Sequence, residues 1–240
     1  MQINNSVIGH RGASAYAPEN TLAAFNKALT LGCNTVEFDV MLSGDGEPFV
    51  FHDEVLERTT NGKGAVGLVT AAYLETLDAG RWFSDAFAGE KIPHFKTILI
   101  WLMQNNMNAN IEIKPYPGMS EQTTAAVLDC LHRFWPQEKS LPLLSSFDLT
   151  ALTLCHTIAP HMPLGLLLDA WDEDWLNKAQ SLGCYSIHIN ELALDAARIQ
   201  DIKRQGYQLY VYTVNCKARA GALLNWGVDA VFSDYPDLLS

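Results

Sequence analysis

The stretch VIGHRG at residues 7–12 places a histidine and an arginine where a short apolar run meets a glycine turn. Three later runs have the same form and carry or end on ionisable side chains: VEFDV at residues 36–40, FVFHD at residues 49–53 and IEIK at residues 111–114. All four runs are strand-like, and ionised side chains are rarely buried without a partner. Their recurrence therefore predicts that the four runs meet at one site.

The acids and histidines of these runs indicate the chemistry of that site. Glu37 and Asp39 share one face of their strand, because successive side chains point to opposite faces, and Glu112 has the corresponding position in a later unit. Three carboxylates suit a hard divalent cation, Mg²⁺ or Ca²⁺, whereas Zn²⁺ prefers histidine or cysteine ligands. His10 and His52 stand at strand ends beside acids, where a histidine pair can supply a general acid and a general base.

The overall charge of the chain limits the classes of partner. With 27 acidic against 16 basic residues, the formal charge of -11 disfavours a general nucleic-acid binder or a binder of anionic membranes. An anionic substrate would need local positive charge, which Arg11, Lys114 or a metal can supply. The alternative interpretation is an ion-pair network in which Arg11 and Lys114 neutralise the acids and fill a barrel.

Amphipathic helical patterns and apolar strands alternate along the chain. Near the C-terminus three helical patterns end at Gly183, Gly206 and Gly227, and an apolar strand follows each glycine at once. This alternation predicts parallel βα units. Nine strands are predicted, one more than an eight-stranded barrel requires, and they begin at approximately residues 7, 35, 49, 110, 143, 164, 185, 208 and 230.

The run at residues 49–53 is predicted to be the additional strand. The linker SGDGEP at residues 43–48 is too short for a helical crossover but suits an antiparallel hairpin, which would fold His52 back beside Asp39. We therefore predict an α/β fold, a (β/α)8 TIM barrel with a β-hairpin extension after strand 2. The charged residues would then gather at the C-terminal mouth of the barrel, where such barrels hold their sites.

Residues 53–95 break the alternation of helices and strands. A connection of this length with its own apolar residues is more typical of a small inserted subdomain than of a loop. We therefore predict one domain over residues 1–240, interrupted by an inserted subdomain at about 53–95. Because this segment leaves the barrel directly after His52, we expect it to cover the mouth as a wall or lid and to shape the leaving-group side of the pocket.

The remaining histidines and the cysteines carry less information. Surface or packing roles are predicted for the histidines on helices or connections, which are His94, His132, His156 and His161. The role of His188 is left open between the mouth and the core, since it shares a strand face with Ser186 and Asn190. Five dispersed cysteines without a C-x-x-C motif are typical of reduced thiols, and residues 1–5 do not begin a signal peptide, so we expect a cytoplasmic protein.

A series of short motifs connects these patterns to a known family. They are HRGAS at residues 10–14, PENT at 18–21, EFDV at 37–40, HD at 52–53, RTT at 58–60, LDAG at 77–80, EIK at 112–114, TVN at 213–215 and SDYP at 233–236. In order and spacing the chain resembles the glycerophosphodiester phosphodiesterase family nearly from end to end, and more closely its compact bacterial cytoplasmic members. The resemblance implies a metal-dependent TIM-barrel enzyme that hydrolyses glycerophosphodiesters to sn-glycerol 3-phosphate and an alcohol.

The resemblance also implies roles for individual residues. By position it makes His10 and His52 the acid/base pair, Glu37, Asp39 and Glu112 the ligands of one divalent cation, Arg11 and Lys114 the phosphate contacts, and Phe147 and Tyr212 pocket residues. Two positions depart from the family pattern. Tyr212 stands where the family often has tryptophan, and His94 stands where threonine is common.

The sequence also suggests how the substrate would be attacked. No serine, threonine or cysteine is evidently paired with a base, so the glycerol 2-hydroxyl of the substrate is expected to attack the phosphorus and form a cyclic phosphate. The alternatives are a phospholipase D-like or phosphoinositide-type phosphodiesterase on the same barrel, and a catalytically inactive metal-binding barrel. We expect a small-molecule substrate, no nucleic acid and no membrane insertion, with the oligomeric state open between a monomer and a homodimer.

Overall fold

The computed structural model describes residues 6–136 and 138–239. Residues 1–5, on which the expected absence of a signal peptide rests, lie outside the described residues. Nine strands run through the described part of the chain: β1 (Val7–Gly9), β2 (Thr35–Leu42), β3 (Pro48–Val50), β4 (Asn108–Ile113), β5 (Leu143–Ser146), β6 (Leu164–Leu168), β7 (Ser186–Asn190), β8 (Gln208–Tyr212) and β9 (Ala230–Ser233).

Eight of these strands close a parallel barrel. Neighbours pair in the order β1, β2, β4, β5, β6, β7, β8 and β9, and the circle is completed where Val7 of β1 pairs with Val231 of β9. The observed strands begin within two residues of the predicted positions. The predicted (β/α)8 TIM barrel is confirmed, and the carboxyl ends of its parallel strands form the mouth that the sequence analysis anticipates.

The additional strand β3 lies antiparallel on β2 as a hairpin. Val40 of β2 pairs with Val50 of β3, and the backbone N–H of Phe51 continues the ladder by donating to the carbonyl of Asp39 at 3.1 Å. A hairpin reverses the chain within a few residues, so the residue after Phe51 returns to the mouth. The predicted hairpin extension is therefore confirmed, and it delivers His52 to the end of the barrel.

Eight α-helices occur among the described residues: α1 (Leu22–Thr30), α2 (Ala71–Thr76), α3 (Phe95–Gln104), α4 (Ser120–Phe134), α5 (Leu149–Ile158), α6 (Trp175–Ser181), α7 (Ala196–Arg204) and α8 (Lys217–Asn225). The core lies between the barrel and the helices. Phe38 of β2, for example, packs against Phe25 of α1 and Phe95 of α3 with ring centroids 5.6 and 6.1 Å apart. In the described part of the chain, no helix combines the length and the apolar character that crossing a membrane requires.

Capping residues define the ends of several helices. The side chains of Thr21, Asp148 and Asp195 each accept a backbone N–H in the first turn of the helix that follows. Gly183 and Gly227 follow α6 and α8 with φ of 61° and 106°, the left-handed conformation that a glycine adopts without strain. These glycines are the ones from which the sequence predicts the helix ends.

Residues 51–94 form a small unit between β3 and α3. It holds α2 and two 3₁₀ turns, at Val66–Leu68 and Asp85–Phe87. Its apolar side chains make a core of their own, separate from that of the barrel and joined to the hairpin, and its members include Met41, Phe49, Phe51, Leu56, Val66, Leu74, Leu77 and Ile92. The predicted inserted subdomain is thus present, and the hairpin attaches it to the barrel.

The interior of the barrel is packed beneath the mouth. His188 is fully buried there between the rings of Tyr210 and Phe232, at centroid distances of 5.1 and 5.3 Å, with Nε2 2.9 Å from Ser186 Oγ. Burial lowers the pKa of His188 to about 3, so the ring is neutral. Gly165 makes room for it, since a Cβ at that position would lie 2.5 Å from Nε2. His188 is therefore a core residue, which resolves the alternative that the sequence leaves open.

Candidate active site

Three carboxylates from two adjacent strands meet at the mouth of the barrel. Glu37 and Asp39 point inward from β2, and Glu112 lies beside Asp39 in the register of β4. Each residue offers a carboxylate oxygen, and these oxygens lie within 4.8 Å of one another. We call these three residues the carboxylate cluster. The strand alternation and the parallel register bring together the acids that the sequence predicts as metal ligands.

Burial and mutual repulsion perturb two members of the carboxylate cluster. Burial, the charge of Asp39 and the charge of Glu112 raise the pKa of Glu37 well above its ordinary value. Burial and the charge of Asp39 likewise raise the pKa of Glu112 to about 8. A bound divalent cation would remove the cost of ionising both groups, and hard oxygen donors are the ligands that Mg²⁺ and Ca²⁺ prefer. The residues present therefore fit a divalent cation.

Asp39 remains ionised because cations and donors surround it. Burial would raise its pKa, but the charges of Arg11 and Lys114, together with that of His52 at the low pH where this ring is protonated, outweigh this effect and lower it to about 2. Arg11 Nε lies 3.5 Å and Lys114 Nζ 3.8 Å from the carboxylate oxygens of Asp39. Asn20 Nδ2 donates to Asp39 Oδ2 at 2.9 Å. Asp39 thus links the carboxylate cluster to the two cations that were predicted to meet an anionic substrate.

The turn after β1 brings Arg11 to the carboxylate cluster. Arg11 and Gly12 adopt φ of 52° and 86°, and a Cβ on Gly12 would lie 2.8 Å from the backbone of Ala24. A left-handed conformation is uncommon for arginine and costs free energy, so the surrounding contacts must fix it. One such contact is the backbone N–H of Arg11, which donates to Glu37 Oε2 at 3.0 Å. The glycine turn therefore contributes a backbone donor as well as a side chain.

His10 is oriented by a carboxylate from the opposite end of the chain. Its Nδ1 lies 2.7 Å from Asp234 Oδ1, and its Nε2 lies 4.0 Å from Glu37 Oε2. Burial would raise the pKa of Asp234, but the hydrogen bonds from His10, Ser14 and Asn215 lower it to about 2. The ionised carboxylate can only accept, so the proton of neutral His10 is on Nδ1. Its Nε2 is then free to exchange a proton at the mouth.

His52 has the same kind of partner from its own neighbour. Its Nδ1 lies 2.5 Å from Asp53 Oδ1, so the proton of the neutral ring is again on Nδ1. Burial lowers the pKa of His52, and the charge of Asp39 only partly opposes this shift. Arg58 binds the same carboxylate through two nitrogens, with Nη2 2.8 Å from Asp53 Oδ1. His52 is therefore held neutral near physiological pH, with Nε2 available.

A cavity of about 410 Å³ opens at the mouth. It is lined by eight of the nine residues predicted for the site: His10, Arg11, Glu37, His52, Glu112, Lys114, Phe147 and Tyr212. The ninth, Asp39, is buried behind them within the carboxylate cluster. Ion pairs are present as in the alternative interpretation of these residues, but they border an open cavity instead of filling the barrel.

The other side of this cavity carries apolar and aromatic side chains beside the polar residues Asn190, Glu191 and Thr213. Phe147 and Tyr212 meet edge to face with centroids 6.1 Å apart, and Tyr212 Oη donates to the carbonyl of Leu168 at 2.8 Å. Leu192 also lines the cavity and is 89% exposed. The charged side and these apolar and aromatic side chains together suit a ligand with an anionic group and a less polar substituent.

One expectation about the surroundings of the mouth turns out differently, whereas the histidines predicted to have surface or packing roles lie away from the site. All of residues 53–95 are described, and none of them lines the cavity, so the expected wall or lid over the mouth is not seen. His94 lies away from the site, at the start of α3, with Nε2 2.8 Å from Glu75 Oε1. His132 and His161 line a separate, mainly apolar cavity of about 480 Å³ that contains none of the predicted site residues.

Sequence reasoning missed the residues that orient the site. Asp234 and Asp53 hold the two histidines, and Asn20 binds Asp39 from the left-handed conformation, with φ of 59°. Asp234 is separated from His10 by more than 220 positions, and no periodicity relates two such residues, so its only signal is its place in the SDYP motif at residues 233–236. For Asp53 a local signal exists, because it directly follows His52. The left-handed conformation of Asn20 also has a signal, since asparagine tolerates it better than most residues do.

Comparison with known proteins extends the likeness beyond the motifs. The family model for the glycerophosphoryl diester phosphodiesterase family matches residues 10–238. A glycerophosphodiester phosphodiesterase of Caldanaerobacter subterraneus is 35% identical over 97% of this chain and 95% of its own length. One from Bacillus subtilis is 33% identical over 96% of this chain and 84% of its own. Among solved structures, an Oleispira antarctica phosphodiesterase in complex with the product sn-glycerol-3-phosphate is 40% identical, with a TM-score of 0.94, covering 97% of this chain and 94% of that one.

The carboxylate cluster predicts a pH-dependent stabilisation by divalent cations. Below about pH 8 the cation must displace the proton of Glu112, so its affinity, and the rise in unfolding temperature that it produces, should increase from pH 6 to pH 8. At a hundred times its dissociation constant the cation would stabilise the fold by about 2.7 kcal/mol. Thermal unfolding with Mg²⁺ or Ca²⁺ measures this shift.

Two variants test whether the cation that raises the unfolding temperature binds at the carboxylate cluster. Glu112→Gln should lose most of the shift, whereas Glu121→Gln, which removes an exposed acid in the first turn of α4, should retain it. An equal shift in both variants would show that the cation binds elsewhere.

Proposed function

Because the chain belongs to the glycerophosphoryl diester phosphodiesterase family, a family of hydrolases, we propose that it hydrolyses glycerophosphodiesters to sn-glycerol 3-phosphate and an alcohol. The observation that carries this proposal is the meeting of the carboxylate cluster, two histidines and two cations at one cavity. The Oleispira antarctica relative supports the product class, since it is in complex with sn-glycerol-3-phosphate.

The proposed cofactor is one divalent cation, Mg²⁺ or Ca²⁺, held by Glu37, Asp39 and Glu112. When bound, it would supply positive charge that neutralises the phosphodiester and the charge that grows on it, an effect of several kcal/mol. Arg11 and Lys114 help to keep the pKa of Asp39 at about 2, so this ligand is ionised near neutral pH. Glu37 and Glu112, whose pKa values are raised, would have to lose their protons to bind it.

The two cations are proposed to hold the substrate phosphate. Arg11 and Lys114 both line the cavity and both lie within 4 Å of Asp39. In a chain with a net charge of -11, they give the mouth the positive charge that an anionic ligand needs. Phe147 and Tyr212 lie on the other side and would contact the less polar parts of the substrate. The phosphate and the alcohol are thereby given different surroundings.

Proton transfer is proposed for His10 and His52. Each ring has Nδ1 bound to an aspartate and lines the cavity, so Nε2 of each can face the substrate. One ring would take the proton of the glycerol 2-hydroxyl as this oxygen bonds to phosphorus. The other enters this step as an imidazolium with a second proton on Nε2; it would give that proton to the oxygen of the departing alcohol as the bond from this oxygen to phosphorus breaks, and become neutral. Water then opens the resulting cyclic phosphate with the roles of the two rings reversed.

The first test is turnover on a panel of phosphodiesters, with and without a chelator. We expect release of sn-glycerol 3-phosphate from glycerophosphocholine and glycerophosphoethanolamine. Lysophosphatidylcholine and phosphatidylinositol represent the phospholipase D-like and phosphoinositide-type alternatives and should be cleaved much more slowly. Removing a contribution of several kcal/mol with EDTA should lower kcat more than about 10²-fold, and added Mg²⁺ or Ca²⁺ should restore it. Full turnover after exhaustive chelation would exclude the metal.

The second test concerns the histidines. His10→Ala and His52→Ala should each lower kcat by about 10² to 10⁴, because each removes a general acid or base. The double variant should be only slightly slower than either single one if the pair acts as a unit. His161→Ala, beside the separate apolar cavity, is the matched control and should keep its kcat. Wild-type kcat in either single variant would remove that histidine from the mechanism.

The third test concerns the nucleophile. A hydroxyl already held beside the phosphorus gains the advantage of an intramolecular reaction, for which effective molarities reach about 10⁵ M. Glycerophosphocholine should therefore be cleaved at least 10²-fold faster than its 2-deoxy analogue, and a cyclic phosphate should be detectable by phosphorus NMR during the reaction. Equal kcat for the two substrates would indicate direct attack by water instead.

A further inference from the structure

An arginine of the inserted segment lies directly behind the mouth without lining it. Arg58 binds Asp53 through Nε and Nη2, with Nη2 2.8 Å from Oδ1. It binds Glu19 through Nη1 at 2.7 Å and Nη2 at 2.8 Å. One guanidinium therefore makes four hydrogen bonds to two carboxylates that come from different parts of the chain.

Each of these carboxylates also binds a residue of the proposed machinery. Asp53 accepts from Nδ1 of His52 at 2.5 Å. Glu19 accepts from Nη1 of Arg11 at 2.7 Å. The side chains of Asp53 and Glu19 are 19% and 12% exposed, and each links Arg58 to a residue that lines the cavity. Arg58 is thus connected through Asp53 to His52, the proposed general acid or base, and through Glu19 to Arg11, a proposed phosphate contact.

We propose that Arg58 is a positioning residue that fixes the orientation of His52 through Asp53 and that of Arg11 through Glu19. This inference rests on the proposed function and deepens it. It assigns to the inserted subdomain a role in the chemistry that differs from that of a wall: the segment supports the catalytic side chains from behind. Proton transfer and phosphate binding would then both depend on the orientation that Arg58 maintains.

The geometry requires the guanidinium group. A carboxylate that accepts from both Arg58 and a second donor is held at two points, so it cannot rotate without losing a charge-assisted hydrogen bond. The planar fork of arginine matches two carboxylates at once, whereas the ammonium group of a lysine is a point charge on a flexible stem. Removing Arg58 would leave Asp53 and Glu19 each held from one side only.

The backbone near Arg58 is anchored in the core of the inserted subdomain. Leu56 is fully buried, and Thr60 Oγ1 donates to the carbonyl of Leu56 at 2.6 Å while accepting from the N–H of Gly62 at 2.9 Å. The backbone N–H of Thr60 also donates to the carbonyl of Leu56 at 3.1 Å. Arg58 therefore projects from a turn that hydrogen bonds close, which is what a support for other side chains requires.

The test is steady-state kinetics of the holoenzyme on glycerophosphocholine at saturating divalent cation. Arg58→Ala should lower kcat by about 10²-fold, the effect of misplacing a catalytic group by about 1 Å, and should raise KM by about tenfold. Arg58→Lys should recover part of both losses, because it restores the charge but not the fork. Arg81→Ala is the matched control, since Arg81 is an exposed arginine of the same subdomain with ion pairs of 3.9 Å, and it should change neither constant by more than about twofold.

Two further variants test separately the link through Asp53 to His52 and the link through Glu19 to Arg11. Asp53→Asn should lower kcat with little change in KM, whereas Glu19→Gln should mainly raise KM. A general loss of packing would not divide the two constants in this way, and it would not be recovered by lysine. The unfolding temperature of each variant is measured together with its kinetics. If Arg58→Ala does not fold, Arg58→Lys, Asp53→Asn and Glu19→Gln are compared with the wild type instead.

The outcomes distinguish this inference from the proposed function. An inactive wild-type protein contradicts the proposed function, and the Nδ1–H resonance of His52 in ¹⁵N-labelled protein then tests the positioning without turnover. If that resonance keeps its shift and its exchange rate in Arg58→Ala, the inference is wrong. An active wild-type protein whose kcat and KM are unchanged in Arg58→Ala, or Asp53→Asn and Glu19→Gln variants that alter both constants equally, would also overturn it.

Discussion

The structure of the mouth depends on the cost of holding three carboxylates within 4.8 Å of one another in a buried place. Like charges at such a distance repel strongly where water is scarce, and two of the three groups respond with raised pKa values. The pKa of Asp39 is lowered instead, because Arg11, His52 and Lys114 surround its carboxylate. Full ionisation of all three groups would need an additional positive charge, so the carboxylate cluster could bind a cation within a protein that is strongly acidic as a whole.

A second constraint acts on the two histidines. Each has its Nδ1 bound to an aspartate, His10 to Asp234 and His52 to Asp53, so that both rings hold the same tautomer. This common arrangement suits the proposed reaction, in which each ring accepts a proton at Nε2 in one step and donates one there in the other. The chain builds them differently: one aspartate follows the last strand of the barrel, and the other directly follows its histidine.

The fold and the principal site residues could be predicted from the sequence, because both follow from short-range patterns. Strand alternation places Glu37 and Asp39 on one face, and the short linker before residues 49–53 requires a hairpin, so local rules were sufficient. The residues that support the site could not be found in this way. Asp234 meets His10 only because the barrel closes its last strand against its first, and Arg58 meets Glu19 only because the inserted subdomain folds back on the hairpin. The expected wall over the mouth was wrong for the same reason, since the length of an insertion does not determine the direction in which it folds.

The exposure of Arg58 indicates what the inserted subdomain contributes. Its side chain is 45% exposed, and an isolated ion pair at such a position stabilises a fold by only about 0 to 1 kcal/mol, although two-point pairs and networks of charges such as this one can exceed that range. The subdomain already has an apolar core of its own, so these ion pairs are not needed to hold it on the barrel. Orientation is a different matter, since a displacement of about 1 Å in a reacting group can reduce a rate 10²-fold. Whatever they add to the stability of the fold, the four hydrogen bonds of this planar group act on the two carboxylates that bind His52 and Arg11, so their larger effect under the proposed function is on alignment.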